Sequence, residues 1–306
     1  MSKILKAIKE RRLIRTINNK IKDTIPVRYV DDWYTLEDIE QAKVLKRLKK
    51  KYGHVLKEKT FSAENCEESQ YVWILWLQGE DAAPELVKAC INSARKMFRS
   101  RKVMVLDHET VLKKINLPNY IVEKYANGVI SNAHYSDILR AALLAEYGGI
   151  WIDSTVLCTA EKAPKFMEDA QLFVFKDIGI PLRRKKSIVA SSWLIASKKK
   201  DPIMCSVYEL LKEYWKHANR LDDYFLFHLF FTMAAEYYRS EWDEIPTYSN
   251  IPPHILQMEL NDAYDEERWE QICGVSSFHK LSHHTRFDKY GTMYNHILKT
   301  MSVKNG

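Results

Sequence analysis

The strongest constraint on how this chain folds lies in Ser136–Thr155, SDILRAALLAEYGGIWIDST, where a helix, a glycine stop, a buried strand and a lone carboxylate follow without interruption. Ser136 reads as the helix N-cap, and Ile138, Leu139, Ala142, Leu143 and Ala145 recur at the spacing of one apolar helical face. Gly148 supplies the left-handed residue that closes a helix, and Gly149 lets the chain reverse into Ile150, Trp151 and Ile152. Those three apolar residues read as a short buried strand, which puts Asp153 where the strand leaves the sheet. Open α/β sheets collect ligands at that edge. Asp137 and Arg140 stand three residues apart on one helix face, where they can pair with each other at the surface or address one ligand together.

S-D-I-L-R followed by Y-G-G-I-W-I-D resembles the sugar-binding segment of retaining glycosyltransferases of the DXD class. That class includes capsular polysaccharide synthesis proteins, yeast mannosyltransferases and glucosylating toxins. The resemblance implies that Asp137 and Arg140 hold the donor sugar and its nucleotide. It also implies that Asp153 helps to bind a divalent cation, Mn²⁺ or Mg²⁺, on the diphosphate. Trp151 takes the position that stacks near the nucleotide in the toxin branch, or it simply packs. The motif here is Asp153-Ser154-Thr155, so a hydroxyl replaces the second carboxylate and weakens a site for hard cations. The resemblance is sharp over residues 136–157, looser from about 71 to 285, and absent from the first sixty residues.

With 306 residues, 46% of them hydrophobic, the chain can bury a sizeable core. Its five cysteines are odd in number, dispersed and without a C-x-x-C pair, which argues against a disulfide framework or a zinc ribbon. A cytoplasmic setting is expected, since no signal peptide or bilayer-length apolar run is visible. The longest apolar stretch, Phe225–Ala235, reads as a buried helix even though it contains His228.

Residues 1–23 place Ile4, Leu5, Ile8, Leu13, Ile14, Ile17 and Ile21 near helical spacing, with Lys and Arg between them. Such a basic amphipathic helix suits an anionic membrane surface, here the inner face of the plasma membrane, or else packs on the domain or on another subunit. Lys43–Lys51 adds a second basic patch. A net charge of +7 is compatible with nucleic acid, but no nucleic-acid motif accompanies it, and none is expected as a partner.

Tyr71–Leu77 reads as the first central strand, and the resemblance, in which the first strand leads into a nucleotide-binding loop, makes Gln78 in the turn after it a candidate for the nucleotide. A helix from Pro84 and a strand at Lys102–Leu106 complete a β-α-β unit, and Asp107 at its end receives a ribose or base, or caps the next helix. Further strands are expected at 172–175 and 188–195, with the small hydroxyls of Ser191 and Ser192 facing the sugar. Arg183, Arg184, Lys185 and Lys186 form a basic loop suited to an anionic diphosphate, to a phospholipid acceptor or to plain solvation. Asp223, or its neighbour Asp222, opens a helix as an N-cap favoured by the helix dipole, while the resemblance implies an acidic residue at this helix start that holds sugar hydroxyls. His279, Lys280, His283 and His284 cluster near the end. The resemblance implies closure over the phosphates by Lys280, with His283 or His284 joining Asp153 and Thr155 around the metal; surface histidines are the plainer reading. The segment Tyr290 to Val303, with a helical stripe of Tyr290, Met293, Tyr294, Ile297, Leu298 and Met301, is a second candidate membrane or homo-oligomer contact.

The expected fold is therefore α/β, a GT-A-like (Rossmann-type) mostly parallel sheet flanked by helices, with added N-terminal and C-terminal helices. Residues 1–65 form a basic helical appendage, 66–288 the nucleotide-sugar-binding domain, and 289–306 an amphipathic helix. The expected activity is retaining transfer of galactose or glucose from a UDP-sugar to a lipid-linked saccharide in capsule synthesis. A toxin-like protein glycosyltransferase and a membrane scaffold with a decayed site are the alternatives.

Overall fold

The computed structural model describes residues 31–177, 186–284, 286–288 and 290–301. Helix α1 (Asp31–Glu58) precedes strand β1 (Tyr71–Leu75), helix α2 (Glu85–Met97) and strand β2 (Lys102–Leu106). Helices α3 (His108–Leu112), α4 (Asn119–Ala126) and α5 (Asn132–Tyr147) lead into β3 (Gly149–Ile152). Strands β4 (Val156–Cys158), β5 (Leu172–Lys176) and β6 (Ala190–Ser197) follow. Helices α6 (Pro202–His217), α7 (Leu226–Tyr237) and α8 (Glu266–Val275), strand β7 (Phe278–Lys280) and helix α9 (Met293–Met301) complete the described chain, besides short helical turns.

The main sheet has the order β2-β1-β3-β6-β5, with β4 and β7 forming a separate antiparallel pair. Strands β2, β1 and β3 run parallel, β6 runs against β3, and β5 runs against β6, so four of the five strands share one direction. This is the mostly parallel, helix-flanked α/β sheet expected from the sequence. Strand β1 shows why its run carries no polar alternation. Val72 and Ile74 pack into the cluster that contains Val87 and Ile91 of α2, while Trp73 and Leu75 face the cluster built by α1, α5, α6 and α7. Both faces are covered, as parallel strands require.

The chain leaves β1 on one side to form β2 and returns on the other side to form β3. The carboxyl ends of β1 and β3 thus flank a topological switch point, the usual crevice of an open α/β sheet.

Two glycines fix the entry into β3. Gly148 (φ 63°) ends α5, and Gly149 (φ 97°) sits so close to β1 that a Cβ would lie 2.4 Å from the Tyr71 carbonyl oxygen. The Trp73 indole donates to the Gly148 carbonyl at 2.8 Å and ties the turn to the sheet.

Several boundaries differ from the sequence expectation. Ser136 is not the N-cap: α5 begins a turn earlier, and Ser131 Oγ accepts from the His134 amide at 3.3 Å. The extra turn buries His134 and Tyr135, and the Tyr135 ring stacks on Tyr125 at 3.8 Å. Strand β1 stops at Leu75, because the chain turns with Gly79 donating to the Trp76 carbonyl. Strand β6 is displaced by two residues, to 190–197.

The boundary at residue 65 does not separate two cores. Val44, Leu45, Leu48, Tyr52, Val55 and Leu56 of α1 are buried in the same cluster as α6 and α7, and Lys49 pairs with Glu236 of α7. Likewise, α9 is no free amphipathic helix, since Met293, Tyr294 and Ile297 are buried in one cluster with Leu86, Ala89 and Cys90 of α2. Tyr290, expected in that stripe, is 91% exposed. The proposed anchor at 1–23 and Arg183, Arg184 and Lys185 lie outside the described residues, and Lys186 pairs with Asp177 at 2.7 Å. Among the described residues, no helix is long and apolar enough to cross a membrane.

The two kinds of glycine make a direct comparison. Gly149→Ala combines a left-handed φ with a backbone clash and should cost at least about 2 kcal/mol. Gly53→Ala, in helix α1 with open space around it, should gain about 0.5–1 kcal/mol. Urea denaturation of both variants checks this; a Gly149→Ala protein as stable as the parent would contradict the close-approach argument.

Candidate active site

A cleft of about 470 Å³ opens at the switch point between β1 and β3. Of the residues singled out from the sequence, Gln78, Asp137, Arg140, Trp151, Asp153, Thr155, Ser192, Lys280, His283 and His284 all line it. Each element contributes for a local reason. Gln78 follows the end of β1, and Asp153 follows the end of β3 with its amide bonded to the Trp193 carbonyl at 2.8 Å. Because β6 is antiparallel to β3, the start of β6 reaches the same edge and delivers Ser192. The β4–β7 pairing places Val156 opposite Lys280, and the Leu281 amide bonds to the Thr155 carbonyl at 2.9 Å. That pairing carries Lys280 back to the motif across 125 residues.

Arg140 organises the cleft. Although only 4% exposed, its guanidinium donates to Asp137 Oδ1 at 2.5 Å and to Asp153 Oδ1 at 3.1 Å. The Trp151 ring lies 4.9 Å from its Cζ and the Phe227 ring 5.2 Å, a cation–π setting that suits a planar guanidinium. The Asp137–Arg140 pair is thus no surface ion pair.

Asp153 has both oxygens engaged. Oδ1 also accepts from the Trp151 indole at 2.9 Å, and Oδ2 lies 3.1 Å from Lys280 Nζ. Lys280 in turn donates to Thr155 Oγ1 at 2.6 Å. Burial alone would raise both carboxylates, yet both are held below the usual carboxylate value of 3.8. Burial is the largest single influence on each, but it is outweighed at Asp137 by Arg140 acting with His134 and His228, and at Asp153 by Lys280 and Arg140 acting with the Trp151 indole.

Three further side chains were not expected at the site. The Trp215 indole donates to His134 Nε2 at 2.9 Å, which leaves the neutral ring's proton on Nδ1, 3.5 Å from Asp137 Oδ2. His228 of α7 lines the cleft, its Nδ1 is buried without a hydrogen-bond partner, and burial pushes its pKa down to about 4, so the ring is neutral at pH 7. One imidazole inside an otherwise apolar helix was the available signal. Trp76 lies 5.3 Å edge-on to His283, where its bulk reads simply as part of a strand.

The structure decides between the readings left open for the other residues and corrects some of them. Asp107 caps α3 through a reciprocal capping box with Thr110, at 2.8 and 2.9 Å, and does not line the cleft. Ser191 alternates away from the cleft while Ser192 faces it, as strand periodicity dictates. Asp223 is buried and accepts from the Phe225 amide at 2.8 Å, so it neither caps α7 nor lines the cleft; Asp222 lies elsewhere too. His279 is fully buried in β7 against Thr159, 3.1 Å away, and burial lowers its pKa to about 4. Trp151 is 1% exposed with Arg140 over its ring, so it aims Asp153 and is not available to stack on a base.

The Mn²⁺ or Mg²⁺ expected beside Asp153, Thr155, His283 and His284 does not fit this arrangement. The single carboxylate already serves two cations and an indole, and Thr155 Oγ1 is taken by Lys280. Among the described residues, no three His, Cys, Asp or Glu side chains converge as a cation site. A divalent ion sharing Asp153 with Lys280 would meet about twice the ~4 kcal/mol that two like unit charges feel at 4 Å near a protein surface.

The buried charges link stability to pH. Both folded carboxylate pKa values are depressed, so this stabilisation is complete above about pH 4 and drains as pH falls through them. Arg140→Leu leaves Asp137 without its main cation, while Asp153 keeps Lys280, and should cost about 3–5 kcal/mol at pH 7. The deficit should narrow below pH 4, where protonation relieves the stranded charge; guanidinium denaturation at pH 7 and pH 3 reads both values. A deficit independent of pH would contradict the charge network.

A family model of capsular polysaccharide synthesis proteins matches residues 34–297. Among solved structures, the PaToxG glycosyltransferase is similar with a TM-score of 0.39 and 15% identity, covering 66% of this chain and 79% of that one. No curated protein matches the chain. The match spans both α1 and the cleft residues, and the chain belongs to the capsular polysaccharide synthesis protein family.

Proposed function

We propose that this protein is a retaining glycosyltransferase that moves a hexose, galactose or glucose, from a UDP-sugar to a lipid-linked oligosaccharide in capsular polysaccharide assembly, forming an α-linkage. The observation that carries the reading is the Asp137–Arg140–Asp153 array at a switch-point cleft, in a chain of the capsule family.

Asp137 and Asp153, kept ionised, accept hydrogen bonds from sugar hydroxyls, while Arg140 holds both at a fixed spacing. The unpartnered Nδ1 of neutral His228 offers a further bond to the sugar. Gln78 lines the cleft for the nucleotide and Ser192 for the sugar. In the transfer, the bond from the anomeric carbon to the β-phosphate oxygen breaks and its electron pair stays on UDP. The acceptor oxygen bonds to the same carbon on the same face, and the acceptor's proton passes to the departing phosphate. Fixed donors and cations aimed at that phosphate lower the barrier where the charge develops. No two carboxylates are assigned as a glycosidase-type acid and nucleophile, which accords with front-face transfer.

Release of UDP from a panel of UDP-sugars, without acceptor, tests the reading. One sugar should be hydrolysed, and Asp153→Asn or Arg140→Lys should lower kcat/KM at least about 10²-fold. No release from any sugar, together with no UDP binding by calorimetry, would overturn it in favour of a decayed scaffold.

Residues 1–23 provide peripheral attachment to the anionic inner face of the plasma membrane, on the strength of their amphipathic spacing. Deleting them should abolish sedimentation with phosphatidylglycerol liposomes; unchanged sedimentation would remove the anchor.

A further inference from the structure

We propose that the Lys280 ammonium does at the diphosphate what a bound divalent cation would do, so that donor binding and transfer proceed without added metal. The inference rests on the transferase reading above and concerns the same cleft.

Three observations support it. First, Lys280 occupies the place a metal would take, 3.1 Å from Asp153 Oδ2 and 2.6 Å from Thr155 Oγ1, the first and third residues of the motif. Second, its position is built into the fold. Lys280 is paired with Val156 in the β4–β7 ladder, the Leu281 amide bonds to the Thr155 carbonyl, and Phe278 of the same strand is anchored in the core. The ammonium is therefore held by backbone register, with a side chain still 25% exposed toward the cleft. Third, the charges balance: Asp137 and Asp153 are matched by Arg140 and Lys280. A second carboxylate at Thr155 would leave a net negative charge that calls for a metal, whereas the hydroxyl leaves none.

When the bond from the anomeric carbon to the β-phosphate oxygen breaks, the electron pair left on that oxygen is met by the Lys280 ammonium. The lysine keeps its proton throughout. The acceptor's proton still goes to the departing phosphate, so the step needs no further reactant.

Calorimetric titration of the full chain with UDP, in EDTA and in Mn²⁺, tests this directly. The parent should bind UDP with affinities within about threefold of each other in the two conditions, and hydrolysis of the preferred UDP-sugar should persist in EDTA. Lys280→Ala should weaken UDP at least tenfold in EDTA while uridine binding, which lacks the phosphates, changes less than about threefold. Lys280→Arg should retain most of the UDP affinity. UDP binding that requires Mn²⁺ in the parent would overturn the inference and leave the transferase reading standing; UDP binding in neither condition would overturn the transferase reading itself. Equal losses for UDP and uridine in Lys280→Ala would make the lysine a structural strut and also overturn the inference. Lys280→Met, which keeps the aliphatic stem, stands in if the alanine variant does not fold.

Discussion

The cleft depends on one buried cation. Arg140 sits between two carboxylates and two aromatic faces, and each of those charges pays several kcal/mol in lost hydration that only its partners return. Such a group tolerates little displacement, so the elements that carry it must be rigidly joined. They are: Arg140 lies two turns before the end of α5, and the chain passes through Gly148 and Gly149 directly into the strand that ends at Asp153. With no room for a Cβ beside Tyr71 and a positive φ, only glycine passes there, and the strand that ends at Asp153 starts directly after the helix that carries Arg140.

The second cation arrives by another route. Lys280 comes from a small two-stranded sheet outside the main one, and its reach to Asp153 and Thr155 follows from antiparallel pairing with β4. The site is thus closed by a strand far downstream in sequence, while helix α9 after it packs on α2. This arrangement accounts for the run of basic and imidazole residues near position 280. Lys280 belongs to the charge network, His283 and His284 form the rim, and His279 faces the core.

Much of this was legible locally. The α5–Gly-Gly–β3 unit and the position of Asp153 at a strand end are short-range patterns, set by residues within one or two turns of each other. Boundaries failed where tertiary burial extended an element, as with Tyr135 drawing α5 back to Ser131. His228 was hidden because apolar periodicity describes the helix and not the one face that meets the cleft. Trp151 takes the packing role that was one of its two readings: its indole N–H and ring face are claimed by neighbours, which no linear spacing reveals.

By itself, the sequence determined the α/β class, the switch from helix to strand, and the three residues Asp137, Arg140 and Asp153, because propensity, glycine conformations and strand-end position act over short distances. Only the tertiary structure decided how the charges pair. Whether a buried carboxylate faces a metal, a guanidinium or an ammonium depends on which distant strand is set beside it. The β4–β7 register put Lys280 there, and the cost of leaving a buried charge unmatched makes that choice the one on which the site turns.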